Sequence, residues 1–291
     1  MNGSFRFDEL TQAYLIAEIG INHNGEVGIA KRLIDFACVA DWDCVKFQKR
    51  NCDKCVPEQQ KSAMRDTPWG RMTYLEYRKR LELDRAAYDE LWAYCWGRIS
   101  ATASAWDEDS VDFMLDLDIP FLKIPSAHLT NDDLLVYACR KGAPLLLSTG
   151  MSTLEEVDHA VELLSRHSDN FAVLHCNSSY PAREDELNLR VIPAFIERYG
   201  CPVGYSGHEF GLTSTEAAVA LGARIVERHV TLKRTMWGTD QMASVEPHGM
   251  IKLAQHIRAL ETSLGDGVKR IYDSELPIRE KLRGPLEPAH V

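Results

Sequence analysis

The sequence has no long apolar run and no excess of basic residues. No stretch of the 291 residues approaches the 18 consecutive apolar residues that a membrane helix needs, and the N-terminal segment MNGSFRFDEL lacks the apolar core of a signal peptide. Aspartate and glutamate (43) outnumber lysine and arginine (33), which gives a net charge of -10, and the basic residues are spread along the chain. Sequence-independent nucleic-acid binding needs a clustered basic surface. We therefore expect a soluble protein with neither a membrane nor a nucleic acid as its partner.

Cysteine is too sparse to indicate a protein held together by disulfides. The eight cysteines are too few for a disulfide scaffold, and several lie inside apolar runs, where reduced cysteine packs as a small hydrophobic residue. This usage favours a reducing cytoplasm. Cys52 and Cys55 have the spacing of a zinc or redox pair, but no second cysteine pair follows and they lie in a predicted loop, so a metal site there is not favoured.

The apolar residues, 45% of the chain, are concentrated in eight short runs that end in polar residues or glycine. These runs are YLIAEIG, DCVKFQ, ISATAS, FLKIPS, PLLLSTG, FAVLHCNSS, VGYSGH and IVERHV. Most are apolar almost throughout, as is typical of parallel strands that are covered on both faces. Segments with helical spacing, such as TLEEVDHAVELLSRH, separate them. The alternation predicts an α/β protein.

The spacing of the runs predicts a (β/α)8 TIM barrel. Their polar ends recur about every 30 residues, the length of one strand and helix unit. A doubly wound open sheet is the alternative, but no Gly-x-Gly-x-x-Gly follows the first run, and polar residues follow every run instead of one switch point. We expect residues 1–264 to form the barrel and residues 265–291 to form a polar surface extension. In the one long interval, we expect residues 50–71 to form an ordered active-site loop.

Two histidines end the last two runs, His208 in GYSGHEFG and His229 in VERHVTL. In a barrel these strand ends are neighbours, so the two imidazoles could hold a divalent ion, although a pair of hydrogen-bonded rim histidines would give the same pattern. Glu227 shares the face of its strand with His229. It could be a ligand, an acid–base group or a partner of a ligand.

Two lysines lie within apolar strands, Lys46 in VKFQ and Lys123 in LKIPS. A buried lysine is costly unless an anion pairs with it, so both indicate an anionic ligand. Serine hydroxyls around the same strand ends suit a phosphate or carboxylate, although each alone could be a turn residue. These serines are Ser104, Ser126, Ser148, Ser178 and Ser206.

Acidic and aromatic residues complete the candidate site. Glu18 ends the first strand in AEIGINHNG, where a plain loop does not explain a carboxylate. Asp240, in the loop after the eighth strand, could bind a sugar hydroxyl, although acidic turn residues are common. Trp69 and Trp237 each lie in a glycine-containing loop and are the tryptophans best placed to line a sugar site.

The motifs AEIGINHNG, VKFQ, LKIPS, LLLSTGMST, LHCNSSYP, GYSGH and ERHVT, in this order, resemble the sialic acid synthase family from about Tyr14 to Arg283. Members of that family are (β/α)8 barrels. They condense phosphoenolpyruvate with an aldose, typically N-acetylmannosamine or its 6-phosphate, and give a nine-carbon 2-keto-3-deoxy sugar acid and phosphate. The resemblance therefore implies a phosphoenolpyruvate-dependent transferase of carbohydrate biosynthesis, with a homodimer as its assembly.

The resemblance also implies roles for individual residues. His208 and His229 match ligands of Mn2+ or Mg2+. The residues that match substrate contacts are Lys123, Ser104, Ser126, Ser148, Ser178, Ser206, Gln48, Tyr180 and Asn177. The residues that match positions around the reacting carbons are Glu18, Lys46, Glu227 and Asp240. The implied reaction is attack of phosphoenolpyruvate carbon 3 on a polarised aldehyde, capture of the charge at carbon 2 by water, and loss of phosphate by C–O cleavage.

Three departures from the family pattern bear on the substrate. His128 stands where the family often has a carboxylate, and Gly207 stands where an acid is common. The chain also ends near the point where bacterial relatives begin a small antifreeze-like domain that contacts the N-acetyl group. A synthase for a shorter or non-acetylated aldose, of the octulosonate or heptulosonate type, is therefore the first alternative, and a non-catalytic ligand-binding subunit is the second.

Overall fold

The computed structural model describes residues 5–284. Its ten strands are β1 Tyr14–Gly20, β2 Cys44–Lys49, β3 Met64–Thr67, β4 Gly70–Thr73, β5 Ser100–Ala105, β6 Leu122–Ile124, β7 Leu145–Ser148, β8 Phe171–Cys176, β9 Val203–Gly207 and β10 Ile225–His229. All strands except β3 and β4 run parallel in a closed barrel, in the order β1-β2-β5-β6-β7-β8-β9-β10 and back to β1. Each of the eight apolar runs is a barrel strand. The predicted (β/α)8 barrel is therefore confirmed.

Helices follow the strands around the barrel. They are α1 Val27–Val39, α2 Cys52–Cys55, α3 Glu58–Lys61, α4 Tyr74–Leu81, α5 Arg85–Cys95, α6 Glu108–Leu115, α7 Asp132–Arg140, α8 Leu154–His167, α9 Val191–Tyr199, α10 Thr213–Ala220, α11 Pro247–Leu264 and α12 Leu276–Arg283. Several helices begin at a capping residue that the local sequence supplies. Thr153, for example, accepts a hydrogen bond from the amide of Glu156 at the start of α8, and the Glu156 side chain accepts one from the amide of Thr153.

The barrel interior has two layers. The lower layer is an apolar cluster of buried side chains that includes Ile16, Cys44, Phe121, Leu146, Leu174 and Ile225. Phe5 and Phe7 from the N-terminal segment close this end, with ring centroids 5.3 and 5.4 Å from that of Phe121. Two residues further along each strand, side chains again face the interior because strands alternate with period 2. The upper layer that they form is Glu18, Lys46, Ser104, Lys123, Ser148, Cys176, Ser206 and Glu227.

The long interval between β2 and β5 is more structured than a loop. Residues 50–71 contain α2, α3 and most of the hairpin of β3 and β4, which leads into α4. Gly70 has φ of +106°, which a turn residue without a side chain adopts without strain. Trp69 at the turn packs edge-on against Trp237, with ring centroids 5.3 Å apart, and Tyr77 packs against Trp237 at the same distance. The segment is thus anchored to the loop that follows β10.

The C-terminal part ends in exposed structure. Helix α11 packs on α1 and α10, whereas no residue of α12 is buried. Residues 285–291 of the predicted surface extension lie outside the described residues, and the boundary at residue 264 stays a prediction. Among residues 5–284, every helix is too short or too polar to cross a membrane.

Candidate active site

The upper layer lies at the carboxyl ends of the barrel strands, where parallel strands present polar side chains to one mouth. The strand register places its members side by side. Glu18 is paired with Lys46 and with His229 in the two adjacent strands, and Ser104 is paired with Lys123. Glu227 is paired with Ser206. Residues from distant parts of the chain are therefore immediate neighbours.

Lys46 lies between two carboxylates. Its Nζ is 2.7 Å from Glu18 Oε2 and 3.6 Å from Glu227 Oε2, and it donates a hydrogen bond of 2.8 Å to Ser104 Oγ. Lys46 and Glu18 are almost fully buried. Burial alone would lower the pKa of Lys46, but the two carboxylates outweigh it and raise the pKa. For Lys46 the protein itself supplies the anion that the sequence analysis assigned to a ligand.

Lys123 is different because its partners are mostly neutral. Its Nζ donates to Ser148 Oγ at 2.7 Å and to the carbonyl of Ile124 at 3.3 Å, and Glu227 Oε2 lies 4.0 Å away. Burial lowers the pKa of Lys123, and the neighbouring charge of Lys46 lowers it further. A buried ammonium whose nearest carboxylate is 4.0 Å away is stabilised further when an anion binds beside it. The expected anionic ligand is thus best supported at Lys123.

The two carboxylates have opposite pKa shifts. Burial and the nearby charge of Glu227 raise the pKa of Glu18 above its usual value, although Lys46 opposes this. Burial would also raise the pKa of Glu227, but Lys123 and Lys46 together hold it below its usual value. Glu227 Oε1 accepts a hydrogen bond of 3.2 Å from Ser206, whereas its buried Oε2 accepts none. These opposite shifts favour the ionised form of Glu227 and make Glu18 the better proton carrier of the two.

Three strand ends contribute to a cradle of hydroxyls beside Lys123. Ser126 lies just beyond β6, Ser148 ends β7 and Ser178 follows β8. The amide of Gly150 donates to Ser126 Oγ at 2.9 Å. A Cβ at position 150 would lie 2.2 Å from Ser178 Oγ and 3.0 Å from Ser126 Oγ, so only glycine lets these hydroxyls converge. Gly150 was not predicted as a site residue, although the STG at the end of this apolar run was a usable signal.

Cys176 is a second residue of this cradle that the sequence did not predict. Its buried thiol lies 3.3 Å from Ser126 Oγ. The charge of Lys123 acts to lower the pKa of Cys176, but burial dominates and raises it. The thiol is therefore a neutral wall of the cradle. Nothing in the sequence distinguished this cysteine from those that only pack.

The two histidines are adjacent, with ring centroids 5.4 Å apart. The carbonyl of Asn177 lies 2.5 Å from His208 Nδ1, which assigns the proton to that nitrogen. His208 Nε2 is then free to accept a hydrogen bond of 2.9 Å from the hydroxyl of Tyr180. Burial and the neighbouring His229 lower the pKa of His208 to about 4, so its imidazole is neutral. A ring nitrogen fixed by a carbonyl, with its other nitrogen available, is the usual arrangement of a metal-binding histidine.

His229 also fits a metal ion. Its Nδ1 is buried without a hydrogen-bond partner, and Asp240 Oδ2 lies 3.8 Å away. Burial lowers the pKa of His229, which favours the neutral ligand form. Within residues 5–284, no group of three His, Cys, Asp or Glu side chains is arranged to hold a metal. The chain therefore offers two imidazoles, and other oxygens would have to complete a coordination shell.

Residues expected at the sugar lie around the same mouth. Gln48 donates to Glu18 Oε1 at 3.0 Å, and the half-exposed Tyr180 stacks on His208 with centroids 4.1 Å apart. The side-chain Oδ1 of Asn177 accepts a hydrogen bond from the main-chain amide of Ser179. The contact of Asn177 with His208 is made by its main-chain carbonyl and not by its side chain. Trp69 and Trp237 contact each other above this mouth.

A buried ion pair fixes the histidine strands from behind. Arg228, between Glu227 and His229, donates to Glu209 Oε1 at 3.0 Å, and both side chains are at most 1% exposed. Glu209 also accepts from Tyr205 and Thr215. This network was not anticipated, because a single strand pattern does not reveal which outward-facing charges will pair.

The network also explains Gly207. A Cβ at position 207 would lie 2.7 Å from Glu209 Oε2 and 2.8 Å from Arg228 Cδ, which leaves no space for an acidic side chain. His128, the other departure, ends a short 3₁₀ helix and packs edge-on against Trp106. Cys52 and Cys55 lie in α2, and both are free thiols.

Fold and site together define a (β/α)8 barrel with a buried layer of lysines, carboxylates and hydroxyls at its carboxyl mouth. The sequence profile of the NeuB family matches residues 33–269. The chain belongs to the NeuB family.

Similar proteins agree with this assignment. The N-acetylneuraminate-9-phosphate synthase of Mus musculus is 37% identical over 273 residues, which cover 92% of this chain and 76% of the relative. The N,N'-diacetyllegionaminic acid synthase of Legionella pneumophila is 38% identical over 280 residues, which cover 93% and 78%. The crystal structure of the N-acetylneuraminic acid synthetase of Leptospira borgpetersenii superposes with a TM-score of 0.83 at 30% identity and covers 94% of this chain and 93% of that chain.

Proposed function

We propose that this chain is a transferase that condenses phosphoenolpyruvate with an N-acetylmannosamine-like aldose and releases phosphate. The product would be a nonulosonic acid of the sialic type. The observation that carries the proposal is the upper layer, in which Lys46, Lys123, Glu18 and Glu227 are buried together beside a cradle of hydroxyls. Two relatives, 37% and 38% identical to this chain, are named as synthases of such acids.

The phosphoenolpyruvate would bind at the Lys123 side of the layer. The nearest carboxylate to Lys123, that of Glu227, is 4.0 Å away, and the hydroxyls of Ser126, Ser148 and Ser178 can donate to phosphate or carboxylate oxygens. Lys46, Ser104 and Ser206 close the site on the side of Glu227. Charged hydrogen bonds in a buried site bind a multivalent anion strongly.

The carboxylates would act on the developing charge. Attack of carbon 3 on the aldehyde forms the new C–C bond and leaves a positive charge at carbon 2 of phosphoenolpyruvate. Glu227, held ionised by the two lysines, can stabilise that charge. Water then adds at carbon 2, its proton passes to a base such as Glu18, and the former aldehyde oxygen takes up a proton to become a hydroxyl group. The C–O bond to phosphate then breaks, which leaves the keto group at carbon 2 and releases phosphate.

His208 and His229 would hold a divalent ion, Mn2+ or Mg2+, as the cofactor. Such an ion supplies Lewis-acid polarisation of the aldehyde oxygen when it is bound. Tyr180 contacts His208, and Asp240 faces His229, so both could position hydroxyl groups of the aldose. Gln48 would orient Glu18, to which it donates a hydrogen bond.

We also propose a cytoplasmic homodimer. All eight cysteines are free thiols, which suits a reducing compartment. The dimer is the assembly that the family resemblance implies. Light scattering on the purified protein measures its mass directly, and a monomer at micromolar concentration would contradict this part of the proposal.

A screen of aldoses tests the function. Free and phosphorylated five- and six-carbon aldoses, with and without N-acetyl groups, are incubated with phosphoenolpyruvate and Mn2+, and phosphate release is followed. We expect a strong preference for an N-acetylated aldose. Preference for a shorter or unsubstituted aldose would assign the octulosonate or heptulosonate type of reaction instead. Binding of phosphoenolpyruvate without release by any aldose would indicate a non-catalytic subunit.

A further inference from the structure

Asp240 reaches the mouth on a loop whose two ends are tied together. The loop, residues 230–245, leaves β10 and returns to the end of the same strand. Val230 and Val245 form a parallel bridge, and the amide of Val245 donates to the carbonyl of His229 at 2.7 Å. A loop with adjoining ends packs around its own side chains and those that enter it. The position of Asp240 therefore depends on what fills the loop.

The side chain of Asn22, just beyond β1, enters this loop and is buried. Its Nδ2 donates to the carbonyl of Val230 at 2.9 Å and to Ser244 Oγ at 2.8 Å. Ser244 Oγ in turn donates to the main-chain carbonyl of Asp240 at 2.7 Å. A serine hydroxyl can accept one hydrogen bond and donate another in this way. A continuous chain of hydrogen bonds therefore runs from Asn22 through Ser244 to the main chain of Asp240.

Gln241, the residue after Asp240, makes a second link to Asn22. Its side chain is fully buried inside the loop. Its Nε2 donates to the main-chain carbonyl of Asn22 at 3.3 Å and to that of Trp237 at 3.4 Å, and its Oε1 accepts from the hydroxyl of Thr231. Buried polar groups whose hydrogen bonds are satisfied make a structure rigid and specific. Asn22 thus bonds to the loop through both its side chain and its main chain.

These contacts hold the main chain of Asp240 and leave its carboxylate at the mouth. Oδ1 accepts from the hydroxyl of Thr239 at 2.6 Å, and Oδ2 lies 3.8 Å from His229 Nδ1. Within residues 5–284, no group donates a hydrogen bond to Oδ2. A carboxylate oxygen accepts hydrogen bonds, so Oδ2 suits a ligand hydroxyl. A rigid main chain below it fixes its direction before the ligand binds, which improves affinity.

We propose that Asn22 is a positioning residue that acts through Ser244 and holds the carboxylate of Asp240 in place for the aldose. This inference rests on the proposed function, in which Asp240 positions hydroxyl groups of the aldose. Phosphoenolpyruvate would bind beside Lys123 on β6, which is three strands away from β1 around the barrel. Loss of the Asn22 contacts therefore weakens the use of the aldose and spares the binding of phosphoenolpyruvate.

The test measures the KM of each substrate in wild type, Ser244→Ala, Asn22→Ala and Ser263→Ala. The aldose is N-acetylmannosamine or its 6-phosphate, whichever wild type uses better. Ser244→Ala removes only the hydroxyl between Asn22 and Asp240. We expect it to raise the KM of the aldose roughly 10-fold, as for a lost hydrogen bond to a charged group, and that of phosphoenolpyruvate by less than about twofold. Asn22→Ala should have at least the same effect. Ser263 is the matched control, because its exposed hydroxyl donates to the carbonyl of Ala259 within α11.

A double-mutant cycle separates positioning from a general loss of structure. Asp240→Asn alone should raise the KM of the aldose, and adding Ser244→Ala should change it by less than about twofold, because the effect of Ser244 passes through the carboxylate. Three results would overturn the inference and leave the proposed function intact. These are an unchanged KM of the aldose in Ser244→Ala, an equal rise in the KM of phosphoenolpyruvate, and the full effect of Ser244→Ala in the Asp240→Asn protein. Absence of phosphate release from wild type with every aldose would instead overturn the proposed function.

Discussion

The lower and upper layers of the barrel interior are built on the same eight strands, two residues apart, and yet they have opposite chemistry. Ile16, Cys44 and Ile225 pack as hydrocarbon or neutral thiol, whereas Glu18, Lys46 and Glu227 directly above them are charged. Both layers are equally buried. The difference shows that burial alone does not decide whether an interior position of this barrel is apolar or charged. Packing of the apolar lower layer stabilises the fold, and this stabilisation offsets the desolvation cost of the charged side chains in the upper layer.

The largest expected effect is at His208, one of the two histidines that adjoin the upper layer. His208→Ala should lose the divalent ion and at least about 1,000-fold in kcat/KM, as when an electrostatic group in an active site is removed. Metal content by mass spectrometry and kcat/KM are measured in parallel, with the exposed His256→Ala as control. Full activity of the wild type after exhaustive chelation would contradict the metal assignment.

Lys123→Ala should have the next largest effect. Removal of the ammonium leaves Glu227 with one fewer cation and leaves the bound anion without its closest charge, so phosphoenolpyruvate affinity should fall by about 3–5 kcal/mol. Titration calorimetry measures the change. The exposed Lys141, which pairs with Asp112 at 2.6 Å, provides the control variant Lys141→Ala. Unchanged affinity in Lys123→Ala would make this lysine structural.

Leu146→Ala addresses the lower layer directly beneath Ser148. Leu146 is fully buried, so its truncation should reduce the free energy of unfolding by about 2–4 kcal/mol. The KM of phosphoenolpyruvate should stay within about twofold, because the cavity forms in the layer without polar groups. Urea unfolding and steady-state kinetics test both statements. A rise in KM comparable to that of Lys123→Ala would erase the distinction between the layers.

The smallest expected effect is the pH dependence of stability that comes from His23, a buried histidine that follows β1. Burial lowers the pKa of His23 from 6.5 to about 4, so the unfolded chain binds a proton in this range that the folded chain excludes. Stability should therefore fall as the pH decreases from about 6.5 to about 4, and this one residue should cost about 2 kcal/mol between pH 7 and pH 5. Urea unfolding at both pH values should give a smaller difference for His23→Gln than for wild type or for the exposed control His248→Gln. An equal difference in all three would exclude His23 as a source of acid sensitivity.

The two layers also explain which features of the fold and of the candidate site could be predicted from the sequence. The eight apolar runs, their spacing and the polar residues at their ends were local patterns, so the barrel and most of its mouth could be predicted. The pairing of Lys46 with Glu18 could not, because it depends on the register between β1 and β2. The Glu209–Arg228 pair was missed for the same reason, because it depends on a contact between residues of different elements. Gly150 had a local signal, the STG that follows the apolar run of β7, which was not used. Helix α11 and the hairpin of β3 and β4 were not recognised either.

Gly207 has a consequence for the evolution of this mouth. Any side chain at position 207 would enter the space of Glu209 and Arg228, so a single substitution there meets a clash and, if acidic, a second negative charge beside a buried carboxylate. An ancestor or descendant with an acid at position 207 must therefore carry a compensating change at 209 or 228. We expect these three positions to covary, and a reconstructed lineage to exchange them as a group and not one at a time.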